Sequence, residues 1–105
     1  MAEEHVPTEE ELRKALEQVG VADMLLGTLT TVVSLGFHRV SAESRDLPQA
    51  KLAIEVLRAL EPVLREGGVE ETVVRDLEQA RANLQLAYAN AVGEEQAVGE
   101  EQAGD

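Results

Sequence analysis

Residues that could carry acid–base or metal chemistry are few and scattered in this chain of 105 residues. The two histidines are His5, within an acidic N-terminal segment, and His38, at the end of a predicted helix. The dipole at a helix C-terminus stabilises a cationic side chain, which accounts for His38 without a ligand or base role. Asp23 opens the same helix, where the dipole favours a negative charge. The sequence contains no metalloprotease, nucleophile-elbow or phosphate-loop motif.

The other candidates for ion binding are adjacent pairs of glutamates. They occur at residues 70–71, 94–95 and 100–101. Neighbouring residues on a helix point in different directions, so such a pair does not converge on one ion. Cysteine is absent, which excludes thiolate catalysis and cysteine zinc sites. We therefore expect no catalytic residue, no cofactor and no metal, and a protein that is not an enzyme.

The net charge of −12 is concentrated at the two ends of the chain. Residues 1–11 and residues 92–105 each contribute −5 and contain no Lys or Arg. Affinity for DNA or RNA depends largely on Lys and Arg. Acidic residues are interspersed among the arginines that a basic stripe would need, which are Arg58, Arg65, Arg75 and Arg81. We therefore expect no nucleic-acid partner.

The C-terminal end is a short repeat. Six residues from Val92 to Ala97 recur from Val98 to Ala103, and most of them are Gly, Glu, Gln or Ala. This composition predicts a disordered acidic tail over residues 93–105 and a disordered acidic arm over residues 1–7. The alternative is an acidic arm that occupies a basic surface on a partner.

Between these ends the apolar pattern is helical throughout, which predicts an all-α fold. We expect a small helical bundle over residues 8–92, made of three main helices and a short N-terminal helix. Thr8 and Glu11 have the spacing of a capping box for the short helix, which ends near Gly20.

The predicted second helix runs from about Val21 to Arg39 and has no charged residue between Met24 and Phe37. A membrane-spanning helix needs about 20 mainly apolar residues, and this run is shorter and is bounded by charges. We expect the buried central helix of a bundle and no membrane insertion. One face is large and apolar, and the opposite face contains Gly, Thr and Ser. Because the small face lacks charges, we expect both faces to be buried.

The third and fourth helices are predicted on either side of a Gly67-Gly68 turn. Asp46 and Gln49 form a second capping box at the start of the third helix, and Pro62 is expected to bend or break its last turn. The fourth helix is predicted from about residue 69 to residue 92. Its apolar residues follow heptad spacing, at Val73, Leu77, Ala80, Leu84, Ala87 and Ala91.

Three segments between Asp23 and Tyr88 carry a family resemblance. They are the uncharged helix ending in Leu35-Gly36, the spaced residues Leu47, Ala50, Ile54 and Leu57, and the pair Leu84 and Tyr88. In these segments the chain resembles a small bacterial family catalogued as domain of unknown function 1844. The resemblance implies an all-helical fold and no known catalytic activity. Some members are encoded near translation initiation factor three and large-subunit ribosomal proteins, which implies an accessory role in translation as one alternative.

The chain also departs from the pattern of that family. Glu55 stands where members tend to have Asp, and Gln85 stands where they tend to have Arg. The family's Gly-Asn-Leu turn is replaced by Gly67-Gly68-Val69. Any pairing between that Asp and that Arg in relatives is therefore altered in this chain.

The surplus of apolar helix surface favours a non-enzymatic cytoplasmic protein that acts through protein–protein interaction, including self-association as a homodimer. Gly27, Thr31 and Ser34 are the candidate interface residues because they share one side of the second helix and permit close approach. Tyr88 is a further candidate anchor, with a packed core position as its alternative. The competing hypothesis is small-molecule binding or an enzymatic role in a bundle cavity.

Overall fold

The computed structural model describes the backbone of residues 6–103 and the side chains of residues 6–99. Within this range the chain forms helices and no strand, which confirms the predicted all-α class. The helices are α1 (Glu9–Gln18), α2 (Val21–Val40), α3 (Leu47–Glu66) and α4 (Glu71–Ala103), with a short 3-10 turn (Ala42–Ser44) between α2 and α3. The predicted acidic arm covers residues 1–7, of which residues 1–5 lie outside the described part of the chain.

Local hydrogen bonds set the starts of α1 and α3. The Thr8 hydroxyl accepts a hydrogen bond from the Glu11 N–H at 3.1 Å. The Asp46 carboxylate accepts one from the Gln49 N–H at 3.3 Å. These two hydrogen bonds confirm both predicted N-caps. Each one satisfies a backbone donor that the helix itself leaves unpaired.

The end of α3 depends on the glycine pair. The helix continues through Pro62 to Glu66, so this proline does not break the last turn. Gly68 has a φ of +87°, and its N–H bonds to the carbonyl of Arg65 at 3.2 Å. The Val69 N–H bonds to the carbonyl of Leu64 at 3.1 Å. This pair of bonds is a Schellman C-cap, which needs a left-handed residue and therefore favours glycine.

The core lies where α2, α3 and α4 pack pairwise against one another. Its largest fully buried side chains are Leu29, Leu57, Leu84 and Val74. The predicted seam of α4 is shifted at its start, because Val74 is buried and Val73 is only half-buried. Tyr88 is half-buried and packs against this core.

The prediction that both faces of α2 are buried is wrong within this chain. Its buried residues are Leu29, Gly36 and Val40, which share the side facing α3 and α4. Gly27, Thr31 and Ser34 are exposed. Two neighbouring helices cover only about half of the circumference of a third, so the opposite half remains outside.

The last helix is longer than predicted. It does not end near Val92, and the backbone remains helical to Ala103. The structure thus differs from the predicted disordered tail over residues 93–103, while residues 104–105 lie outside the described part. Ala, Glu and Gln are good helix formers, which offsets the cost of about 1 kcal/mol for each of Gly93 and Gly99.

Gly36 lies at the point where the three core helices approach most closely. A Cβ atom placed on it would lie 2.7 Å from Leu84 Cδ2 and 3.1 Å from Ala53 Cβ. We expect Gly36→Ala to lower the free energy of unfolding by about 1–3 kcal/mol, because overpacking outweighs the gain in helix propensity. Urea denaturation monitored by circular dichroism measures this change.

Gly93→Ala, on α4 and away from the exposed side of α2, is the matched control, because no atom lies within 4 Å of a Cβ placed there. That variant should gain up to about 1 kcal/mol from helix propensity alone. Equal stabilisation by the two substitutions would contradict the close packing at Gly36.

Candidate interaction surface

The residues that sequence analysis weighed for chemistry do not converge in the structure. Asp23 and His38 are both exposed at opposite ends of α2, and His5 lies outside the described residues. Among the described residues no group of three or more His, Asp or Glu side chains is arranged to hold a metal ion. The charged side chains form ion pairs between helices instead.

The most enclosed ion pair joins α3 to α4. Arg81 Nε donates to the Glu61 carboxylate at 2.7 and 3.0 Å, and Arg81 Nη1 donates to Gln85 Oε1 at 2.7 Å. Glu61 is buried, and 22% of the Arg81 side chain is exposed. The hydrogen bond to Glu61 raises the pKa of Arg81 above its ordinary value. Glu61 and Arg81 are 20 residues apart on different helices, so no local sequence pattern indicates the pair.

A second cluster surrounds the turn between α3 and α4. Arg65 donates to the Glu71 carboxylate at 3.0 and 3.1 Å and also bonds to Glu78. The hydrogen bond from Arg65 lowers the pKa of Glu71. Arg75 lies 3.9 Å from Glu71. Three of the four arginines considered for a basic stripe, namely Arg65, Arg75 and Arg81, are thus paired with carboxylates.

A third cluster holds the end of α4 against the turn that follows α2. Arg45 donates to the carbonyl of Val40 and reaches Glu94 at 2.9 Å and Glu95 at 3.2 Å. Only 16% of the Arg45 side chain is exposed. These contacts help to explain why α4 continues beyond the predicted end.

The exposed side of α2 has no charged residue between Met24 and Phe37. Met24, Thr28, Thr31 and Leu35 are all exposed and follow one another at spacings of four, three and four residues. Residues at these spacings share one side of a helix. We call these four residues the α2 stripe. Met24 is 62% exposed and Leu35 is 49% exposed.

Three of the four predicted interface residues lie on or beside the α2 stripe. Thr31 belongs to it, whereas Gly27 and Ser34 border it on the same exposed half of α2. Tyr88 packs partly against the core on α4 and is not brought together with the other three candidates. Met24, Thr28 and Leu35 were not among the predicted interface residues, although their heptad spacing within an uncharged run is visible in the sequence.

Apolar grooves adjoin the two ends of the α2 stripe. The groove between α1 and α2 has a volume of about 540 Å³, and its lining includes Leu12, Leu16, Met24 and Thr28. The groove between α2 and α3 has a volume of about 150 Å³, and its lining includes Val32, Leu35, Leu52 and Val56. Met24 and Thr28 of the stripe thus line the first groove, and Leu35 lines the second.

Helix α1 contributes to this surface without being packed itself. It has no buried residue, and its apolar side chains Leu12 and Leu16 are exposed. An isolated helix shorter than about 12–15 residues is marginal in water, and α1 has 10 residues. Its stability therefore depends on whatever covers its apolar side.

By length and composition alone, α2 is apolar enough to cross a membrane. Only 11% of the 18-residue window that is most apolar in α2 is buried inside the structure. Helix α2 is therefore not the buried central helix that the sequence predicted. The helix nevertheless packs along one side against α3 and α4, which carry many charged residues.

No family model, no curated protein and no solved structure matches this chain. The resemblance to domain of unknown function 1844 therefore remains a prediction from the motifs between Asp23 and Tyr88.

Proposed function

We propose that this chain is a non-enzymatic cytoplasmic protein that acts through protein–protein contacts, first of all through self-association as a homodimer. The observation that carries the proposal is the uncharged exposed half of α2, with the α2 stripe along it. Soluble monomers rarely expose contiguous apolar patches larger than a few hundred Å², and larger ones generally mark interaction sites.

The chain is more extended than a compact monomer of its length. The radius of gyration is 19.3 Å, whereas a compact chain of this length has about 13 Å. The accessible surface is 7866 Å², against about 5,800 Å² for a compact monomer of 11.4 kDa. Part of this surplus comes from the exposed end of α4. A standard interface covers about 800 Å² on each partner, so the surplus can accommodate a dimer.

The finer architecture belongs to the same proposal. We assign α2, α3 and α4 as the bundle that presents the interaction surface, with α1 as an accessory helix at its edge. The acidic ends would keep the protein soluble and repel nucleic acids. Neither end is needed to form the apolar surface, because the α2 stripe and its grooves lie within residues 12–56.

A second candidate function is the binding of a small apolar molecule in the groove between α1 and α2. Its volume of about 540 Å³ falls in the range of ligand sites. Such sites usually contain a few converging polar groups, and the only polar side chain in this lining is that of Thr28. We therefore favour a protein partner. Light scattering separates the two, because a small ligand leaves the chain monomeric.

The decisive experiment is light scattering of the wild type and of Thr31→Arg at micromolar concentration. We expect a dimer for the wild type and a folded monomer for the variant, because two copies of the new charge would meet in an apolar interface. Ala82→Arg is the matched control, since Ala82 is exposed on α4 and lies outside the surface. A monomeric wild type would refute self-association.

A further inference from the structure

The order of side-chain types along the α2 stripe is almost the same from either end. Its order along the helix is Met24, Thr28, Thr31 and Leu35, with large apolar side chains at the ends and small ones in the middle. The spacings of four, three and four residues are also unchanged by reversal. In a two-fold antiparallel pair, the large ends of this stripe meet the large ends of its copy and the small middle meets the small middle.

From this symmetry, and on the basis of the proposed self-association, we infer that α2 pairs antiparallel with α2 of a second copy in one register. Met24 then lies opposite Leu35 of the second copy, and Thr28 lies opposite Thr31 of the second copy. The two-fold axis passes between Thr28 and Thr31, where small side chains allow the helices to approach closely.

The threonine hydroxyl at this crossing can be buried at little cost. Thr31 Oγ1 already donates to the carbonyl of Gly27 at 3.2 Å. An unpaired hydroxyl would carry a desolvation penalty of about 1–3 kcal/mol, and a satisfied one avoids most of it. The middle of the stripe is therefore small, and its Thr31 hydroxyl is already hydrogen-bonded, which suits a close helix crossing.

The grooves at the two ends receive the large side chains. Leu35 of the second copy reaches the groove between α1 and α2, where Leu12 and Leu16 have no cover in the single chain. Met24 reaches the groove between α2 and α3 of the second copy, beside its Leu52. The same contacts would cover the apolar side of α1.

Charge favours the antiparallel direction. The first turn of α2 contains Asp23, and its last turn contains His38 and Arg39. Antiparallel pairing brings the acidic start of each helix towards the basic end of the other, and it also opposes the two helix dipoles favourably. Parallel pairing would place like ends together.

Cysteine pairing tests the register directly, because the chain contains no cysteine of its own. Full-length Met24→Cys and Leu35→Cys chains, one of them carrying an affinity tag, are co-expressed and then oxidised. We expect about half of the protein to form disulfide-linked heterodimers, the share that random pairing of two chains in a two-fold dimer produces, and each variant expressed alone to give little cross-linked product. Ala82→Cys, outside the surface, is the matched control for random collision.

Each outcome decides between defined alternatives. Efficient cross-linking of either variant with itself would show a parallel pair or a different antiparallel register, and would overturn the inference. A dimer by light scattering without cross-links in the mixture would overturn the register and leave self-association standing. A monomeric wild type would refute the proposed function itself, and flotation of that monomer with lipid vesicles would assign the apolar surface to a membrane.

Discussion

Replacing Leu84 by Ala is expected to lower the free energy of unfolding by about 3–4 kcal/mol. Leu84 is fully buried on α4, and its methyl groups pack over Gly36 of α2, where all three core helices meet. Removing them leaves a cavity that the surrounding helices cannot fill without moving together. A domain of this size has a total stability of only about 5–13 kcal/mol, so the loss is a large fraction of it.

Leu86→Ala is the matched control, two residues further along the same helix. Leu86 is 65% exposed, and its truncation should change stability by no more than about 0.5 kcal/mol. Thermal melting is compared at one protein concentration, because dimerisation makes the melting temperature depend on concentration. Similar losses for the two variants would contradict the position of the core.

Glu61→Leu is expected to cost about 3 kcal/mol, because it leaves the charge of Arg81 without its partner between α3 and α4. The value lies at the low end for a buried pair, since 22% of the Arg81 side chain is exposed and can be hydrated. Chemical denaturation gives the change in the free energy of unfolding.

Two further variants make this test specific. The double variant Glu61→Leu with Arg81→Leu should recover at least half of the loss, because no charge is then left unpaired. Arg65→Leu removes a surface pair whose arginine is 43% exposed, and it should lower stability much less than Glu61→Leu does. If Glu61→Leu lowered the free energy of unfolding as little as Arg65→Leu, the Glu61–Arg81 pair would behave like an exposed ion pair.

Features that depend on neighbours in sequence were predictable. The caps at Thr8 and Asp46 follow from a side chain and a backbone N–H three residues away. The stop at Gly68 follows from its freedom to adopt a positive φ. The buried side of α3 follows from helical spacing, and Ala50, Ile54, Leu57 and Leu64 are buried as expected.

Features that depend on distant residues were not predictable. The Glu61–Arg81 pair joins positions 20 residues apart, and the contacts of Arg45 with Glu94 and Glu95 span about 50 residues. The contacts of Arg45 also lie beside the part of α4 that extends beyond its predicted end. Composition alone predicted a disordered tail there, whereas the structure continues the helix and places Arg45 beside it.

The sequence by itself determined that the chain is helical, where α1, α2 and α3 start, and that α2 has no charge between Met24 and Phe37. These properties are encoded in spacing, capping and side-chain type within a few residues. Only the tertiary structure decided which half of α2 is covered, because that depends on how many helices reach it and from which direction. Since only α3 and α4 pack along α2, Leu29 and Gly36 are buried and Met24, Thr28, Thr31 and Leu35 remain exposed.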